Sequence, residues 1–255
     1  MKIATWNVNG IRAREAQVRE WIEREQPDVV CLQEVKAPPG KIPPDLALGL
    51  AGYWCTWHTA TAYSGVGLHV RRGLTPERPA FRHPGFDAET RIAVVELGGL
   101  EVASVYVPNG GKDYPAKIRF LTALDGWAAE AQAAGRRLVV CGDVNVARAE
   151  VDVHPKERDE RLVGQRPEER ALLGRILGRG LVDLTRALDP ANQELFSWWA
   201  PWRNHRQRNI GWRIDYVLAS EALAGGATSC RVLPEVGTSD HAPVLATFAP
   251  EPPPT

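Results

Sequence analysis

The sequence predicts an α/β fold in which two β-sheets pack face to face and helices cover their outer faces. Three observations lead there. Short apolar runs bounded by turn residues recur along the chain as buried strands. Between several of them lie segments with apolar residues at i, i+3 and i+4, the spacing of a helix lying on a sheet. Hairpin connections are frequent, which a purely parallel, doubly wound sheet does not use. No low-complexity linker or short repeat interrupts the pattern, so residues 1–249 are expected to form one catalytic domain. The Pro-rich residues 250–255 are expected to be a disordered tail.

The elements follow in order. Residues 3–8 are an apolar strand that runs into Asn7-Val8-Asn9-Gly10. Residues 14–25 carry Val18, Trp21 and Ile22 on one helical face, and Pro27 stops that helix. Residues 28–32 form a second buried strand ending in Gln33-Glu34, and 38–44 a loop. Residues 53–58 and 65–70 pair across a Thr/Ala/Ser/Gly turn. Residues 91–97 and 100–107 make a hairpin about Gly98-Gly99. Residues 116–134 are helical, with Ile118, Leu121, Leu124 and Trp127 aligned. Residues 137–145 are a strand opening into Gly142-Asp143-Val144-Asn145. Residues 148–170 are charge-dense and mostly loop, and Pro167 starts a helix reaching Leu177. Strands at 213–219, 229–234 and 243–248 complete the fold.

Composition narrows the function classes. No stretch approaches the roughly 20 apolar residues of a membrane span, and the N-terminus lacks the apolar core of a signal peptide. The four cysteines are scattered without a Cys-x-x-Cys, as expected of buried free thiols in a reducing, cytoplasmic setting. No His/Cys cluster shows the spacing of a zinc site. Basic and acidic residues balance at 31 each, so any polyanion site must be a local patch.

The strands share polar ends: Asn7, Glu34, Tyr106, Asp143-x-Asn145, and the Ser239-Asp240-His241 that precedes the last strand. Singly, each has an ordinary explanation. Asn7 suits a turn, Glu34 the first solvated residue past a strand, Tyr106 a core aromatic, His241 a cap, and Asp143 with Asn145 a turn closure. Together, at one edge of a sheet fold, they form a coherent set. In extended chain Asp143 and Asn145 point the same way. Carboxylate and amide oxygens suit Mg²⁺, with Mn²⁺ as the alternative, and Asp215 offers an orienting partner for a histidine. With no Gly-x-Ser-x-Gly elbow and no P-loop, the residues favour metal-assisted hydrolysis of a phosphate ester.

Six segments carry a resemblance: 6–12 (Trp-Asn-Val-Asn-Gly-Ile-Arg), 27–36 (Pro-Asp-Val-Val-Cys-Leu-Gln-Glu-Val-Lys), 106–109 (Tyr-Val-Pro-Asn), 142–147 (Gly-Asp-Val-Asn-Val-Ala), 211–216 (Gly-Trp-Arg-Ile-Asp-Tyr) and 239–243 (Ser-Asp-His-Ala-Pro). In this order, over nearly the whole chain, they resemble the exonuclease III / abasic-site endonuclease family of metal-dependent phosphodiesterases. The resemblance implies a four-layered α/β sandwich, two packed mixed β-sheets flanked by helices. It implies cleavage of double-stranded DNA 5′ to abasic sites by a monomer, with 3′–5′ exonuclease and 3′ end-cleaning activity. It makes Glu34 the principal metal ligand, with Asn7 beside it and Asp240 supporting the metal. Asp143 would position or deprotonate the attacking water, and Asn145 would hold that water or the scissile phosphate. His241, oriented by Asp215, would contact the phosphate, and Tyr106 would bind it or assist the leaving oxygen. Val35 stands where the family usually has Thr, a small change beside Glu34.

Residues 196–214 supply the local patch. They hold Trp198, Trp199, Trp202 and Trp212 with Arg203, Arg206, Arg208 and Arg213, and no acid. Such interleaving suits phosphate contacts plus stacking at a distorted duplex, although core packing serves Trp199 equally well. The resemblance makes Trp198, Trp212 and Ile214 the lining of a pocket for a flipped-out abasic sugar. Arg91 and Lys112 are expected phosphate contacts. Two other readings compete: a phosphodiesterase or phosphatase acting on a non-DNA phosphate ester, and a catalytically silent DNA-binding module. The tryptophan–arginine stretch speaks against the first, and the presence of Glu34, Asp143 and His241 against the second.

Overall fold

The computed structural model describes residues 1–47, 50 and 52–250. The proposed tail at 250–255 falls outside them except for Pro250. In chain order the elements are β1 (Lys2–Asn7), α1 (Ile11–Glu25), β2 (Val29–Gln33), α2 (Pro44–Ala47), β3 (Tyr53–His58), β4 (Val66–Arg71), β5 (Phe81–Arg82), β6 (Ile92–Leu97), β7 (Leu100–Tyr106), α3 (Tyr114–Ala133), β8 (Arg137–Asp143), α4 (Pro167–Leu177), β9 (Leu181–Asp183), α5 (Leu184–Leu188), β10 (Asp215–Ser220), α6 (Glu221–Ala224), β11 (Ala227–Val232) and β12 (Val244–Phe248).

The strands form two six-stranded sheets, β11-β12-β1-β2-β4-β3 and β9-β10-β8-β7-β6-β5. Both follow one pairing scheme. A parallel pair, β1 with β2 or β7 with β8, lies at the centre, and every other neighbour is antiparallel. Strand alternation builds the layers. Val29, Cys31, Val102, Val139, Cys141 and Val217 fill the space between the sheets. Val30 and Leu32 turn outward onto Val18, Trp21 and Ile22 of α1. Ala103, Val105, Leu138 and Val140 turn outward onto Phe120, Leu121 and Leu124 of α3 and Leu172 and Leu173 of α4. The result is the expected helix–sheet–sheet–helix sandwich. Because their strands are covered on both faces, they read as continuous apolar runs.

Several boundaries moved. α1 begins at Ile11, three residues before the periodic stretch, because the Gly10 and Ile11 amides donate to the Glu34 and Val35 carbonyls at 2.8 and 3.0 Å. This satisfies donors that a helix start otherwise leaves open, and ties it to the end of β2. α3 begins at Tyr114, capped by Asp113, whose carboxylate accepts from the Ala116 amide at 2.8 Å. β5, β9, α5 and α6, of two to five residues, are too short to show a period in sequence. No helix among the described residues is long and apolar enough to cross a membrane.

Candidate active site

The pairing scheme decides where the polar strand ends go. β1 runs parallel to β2 and β7 parallel to β8, so Asn7, Glu34, Tyr106 and Asp143 all emerge at one end of the sandwich. β10 is antiparallel to β8 with Asp215 opposite Asp143, so Asp215 starts its strand at that same end. The turn before β12 adds His241. It is fastened to β1 by two bonds, Ser239 Oγ donating to the Asn7 carbonyl at 2.7 Å and the Trp6 indole to the His241 carbonyl at 3.1 Å, and within the turn the His241 amide donates to Ser239 Oγ at 3.2 Å.

Asp143 is the centre of the cluster and only 1% exposed. The Asn145 amide donates to its Oδ1 at 2.8 Å, while the carboxamides of Asn7 and Asn145 donate to its Oδ2 at 2.9 and 3.1 Å. The same Asn7 nitrogen donates to Glu34 Oε1 at 3.0 Å, so one amide joins a carboxylate from each sheet. His241 Nδ1 donates to Asp215 at 2.9 Å and leaves Nε2 3.8 Å from Asp143 Oδ2. Asp215 is itself held by Ser197 Oγ, which donates to it at 2.7 Å and accepts from the Ile214 and Asp215 amides.

Burial and charge set the protonation states. Burial raises Asp143 to about 7, with Asp215 and Glu34 adding to the rise and His241 opposing it. Burial alone would depress His241, but Asp215 and Asp143 outweigh it and lift the imidazole to about 10, so it is a cation at neutral pH. Burial also works to raise Glu34, yet His241, Asn7 and Lys36 prevail and hold it below its ordinary value. Tyr106, 5% exposed, is pushed far up by burial and then by Glu34 and Asp143, so its hydroxyl keeps its proton. These are separated roles within one cluster: an ionised carboxylate, a carboxylate poised to take a proton, an imidazolium and a phenol.

The cluster opens into a cleft of about 320 Å³. Trp198 and Trp212 pack edge to face with centroids 5.5 Å apart, and with Ile214 and Val163 they form its apolar wall. Glu34, Lys36, Asn145 and His241 form the polar wall. A larger concavity of about 880 Å³, lined by Met1, Leu97, Arg137 and Phe248, lies at the opposite end of the sandwich, away from the buried acid–imidazole cluster.

Not every expected residue joins this set directly. Asp240 is reached through a relay in which Lys36 pairs with Glu34 and donates to Asn9 Oδ1 at 2.7 Å, while Asn9 Nδ2 donates to Asp240 Oδ1 at 2.8 Å. The Trp198 indole donates to Asp240 Oδ2 at 3.1 Å. Arg91 is buried, paired with Glu89, and stacked 4.7 Å from the Tyr106 ring, so it supports Tyr106 from beneath. Arg206 is half-buried and donates to the carbonyls of Pro234, Val236 and Ser239, bracing the turn that carries His241. Arg213, read from sequence as part of the basic strip, is fully buried between Asp152 and Asp183. Of the strip's four arginines, Arg203 and Arg208 are exposed, as is Lys112. The expected shared face of Asp143 and Asn145 is also modified. Asn145 is left-handed (φ 55°), so the chain folds back and the two side chains meet across a turn.

Sequence reasoning left out Lys36, Asn9, Ser197 and Lys117. Asn9 and Lys36 each lie two residues beyond an expected ligand, a signal that was available. Ser197 and Lys117 had none: Lys117 Nζ, buried on α3, reaches the Asn145 carbonyl at 2.7 Å and Glu169 at 3.1 Å.

Glu34, Asp143 and His241 bring potential ligand atoms within 4.8 Å of one another. A protonated imidazole has no lone pair to give, which leaves an oxygen-rich set around Glu34. That set fits a hard divalent cation. A carboxylate poised to accept a proton from water, facing an imidazolium suited to an anionic oxygen, defines a hydrolase of phosphate esters.

Comparison with known proteins agrees. Residues 4–241 match the Endonuclease/Exonuclease/phosphatase family. The DNA repair nuclease APEX1 of Danio rerio is 32% identical over 98% of this chain and 82% of its own length. The exodeoxyribonuclease of Bacillus subtilis is 31% identical over 96% of this chain and 98% of its own. Among solved structures, a variant of the 3′ phosphatase NExo from Neisseria, bound to a product DNA hairpin, superposes with a TM-score of 0.86 at 30% identity, covering 98% of this chain and 99% of that one. The chain belongs to the Endonuclease/Exonuclease/phosphatase family, within its exonuclease III / abasic-site endonuclease group.

Proposed function

We propose that this protein is a DNA repair phosphodiesterase that hydrolyses the backbone 5′ to abasic sites and removes nucleotides and blocking groups from 3′ ends. The observation that carries this reading is Asp143. It is buried, raised to about 7, held by two carboxamides and faced by an imidazolium at the floor of an indole-walled cleft.

Asp143 takes the proton from the attacking water, for which a pKa near neutrality is well matched. His241, kept charged by Asp215, binds a non-bridging phosphoryl oxygen and strengthens its hold as charge develops. Asn145 aligns water and phosphate, and Tyr106 offers its proton to the phosphate or the leaving oxygen. Glu34, with Asn7 and Asp240 nearby, would hold Mg²⁺, or Mn²⁺ in its place. Such an ion, when bound, neutralises charge on the phosphate and leaving oxygen. Trp198, Trp212 and Ile214 enclose a sugar without its base, whose extrusion forfeits no stacking. Arg203, Arg208 and Lys112 meet flanking phosphates, with Arg91 acting through Tyr106.

The protein works as one catalytic unit and a monomer in a reducing, cytoplasmic compartment, a reading supported by its free cysteines Cys31, Cys55, Cys141 and Cys230. The test is a side-by-side panel of an abasic duplex, a recessed 3′ end and a 3′-phosphate end, each with Mg²⁺ and with chelator. Incision of the abasic duplex only with Mg²⁺ is expected. Inactivity on all three, or activity unaffected by chelation, overturns the proposal.

A further inference from the structure

A second group of ligand-bearing side chains lies outside the cleft, where the open edges of the two sheets meet. His58 ends β3, the edge strand of one sheet. His83 directly follows β5, the edge strand of the other, and Asp87 lies between β5 and β6. Sequence spacing gave no hint of this group, because His58 lies 25 residues before the nearest of its partners, His83 and Asp87.

The two imidazoles stack with centroids 3.7 Å apart and planes 14° from parallel. His58 Nε2 contacts Asp87 Oδ2. Asp87 Oδ1 is already committed, accepting from the Arg91 and Ile92 amides at 2.8 and 3.2 Å, which fixes the carboxylate and leaves Oδ2 for a partner. One nitrogen of each imidazole and one carboxylate oxygen fall within 4.8 Å of one another. Two face-to-face imidazoles are poor neighbours when both are charged. The stack therefore suits rings of which at least one is neutral and has a lone pair to give.

We propose that His58, His83 and Asp87 form a binding site for a Zn²⁺-like transition-metal ion, separate from the catalytic cleft, that clasps the two sheet edges together. Two imidazoles and a carboxylate are the donors of three-ligand zinc sites, with water in the fourth position. They are unlike the oxygen-rich set in the cleft, so the two sites should differ in the cation they select. Tetrahedral coordination at about 2.1 Å places donors about 3.4 Å apart, and because a ring nitrogen's lone pair lies in the ring plane, the stack must open on binding, with exposed His83 turning out of its parallel alignment with His58. The ion would be felt at the cleft. It grips Asp87, Asp87 holds the Arg91 amide, and the Arg91 guanidinium lies against Tyr106. As the other oxygen of a ligating carboxylate, Asp87 Oδ1 already has the supporting hydrogen bonds that such sites use.

The test uses the full chain, stripped with chelator and dialysed into Mg²⁺-containing buffer to satisfy the cleft. Zn²⁺ binding is followed by calorimetry, and Co²⁺ binding by its visible absorption. Wild type and Glu34→Gln should each bind about one equivalent with the intense absorption of a four-coordinate site. His58→Gln and His83→Gln should weaken binding at least tenfold while melting, metal-free, at the wild-type temperature. Zn²⁺ should raise the melting temperature of wild type but not of His83→Gln. Absence of Zn²⁺ binding by wild type, equal binding by wild type and His83→Gln, or loss confined to Glu34→Gln would each overturn the proposal.

Discussion

Replacing Asp143 with asparagine should inactivate the protein and, at alkaline pH without metal, make it more stable. Burial lifts this carboxyl from 3.8 to about 7, so keeping it ionised in the folded state at pH 8 costs about 4 kcal/mol, at roughly 1.4 kcal/mol per pH unit. The amide has no charge to bury. It does present an NH₂ group toward two donors, the Asn7 and Asn145 carboxamides, and forfeits about two hydrogen bonds at about 1 kcal/mol each. A net gain of about 2 kcal/mol remains, or about 4–8 °C in melting temperature for a chain of this size. The sign depends on pH. The folded pKa lies above the unfolded one, so between pH 4 and 7 the folded protein binds more protons and loses stability as pH rises. The variant's advantage is therefore full above pH 7. At pH 4 it is gone, and only the lost hydrogen bonds remain, so the variant should melt below wild type there. Scanning calorimetry in chelator at pH 8 and pH 4 measures both. A variant less stable than wild type at pH 8, or one shifted equally at both pH values, would refute the reasoning. Saturating divalent metal should narrow the gap at pH 8, because a cation beside Asp143 relieves the same cost.

Three further outcomes are expected. Asp215→Asn removes the first of the groups that raise His241 to about 10, so the alkaline limb of incision should move down by about 2 pH units, costing about tenfold near pH 9; an unmoved limb between pH 6 and 10.5 would exclude the imidazolium from the reaction. Lys117→Met strands Glu169 as an unpaired buried acid and should destabilise the fold by about 3–5 kcal/mol in urea unfolding. The double replacement with Glu169→Leu should recover most of that stability without restoring full incision, since the Asn145 carbonyl has still lost its donor. Arg203→Ala with Arg208→Ala should reduce the steepness of log K against log salt on abasic DNA by about 2; no change would remove both arginines from the DNA interface.

The two-sheet core was legible because its strands are covered on both faces. Residues 29–32 and 138–141 can hardly be anything else. The site was legible for a related reason: a polar residue at the mouth of an apolar strand stands out against its surroundings, and Asn7, Glu34, Tyr106 and Asp143 all do. What local reading could not see were partners far away in sequence. Arg213 sits among tryptophans and arginines, and its neighbours suggested DNA. Its true partners, Asp152 and Asp183, lie 61 and 30 positions off, and only folding brings them around it. Arg91 is a similar case: a cation expected to face phosphate is turned inward onto Tyr106. Asn145 shows a different limit. In sequence, turn closure and ligand binding look like alternatives, yet a left-handed residue that bonds back to Asp143 serves the turn and the site at once.

The position of β1 has a consequence for synthesis. The first strand lies between β2 and β12, with Lys2 opposite Thr247 and Thr5 opposite Val244. A growing chain on the ribosome can therefore pair β1 with β2 early, but its other edge waits until β12, more than 230 residues further on, has emerged. The turn bearing His241 travels with that late strand. A nascent chain can hold Asp143, Glu34 and Asn7 in place and still lack the imidazolium opposite Asp143. The nuclease thus becomes competent only once the strand that follows His241 has emerged and paired with β1.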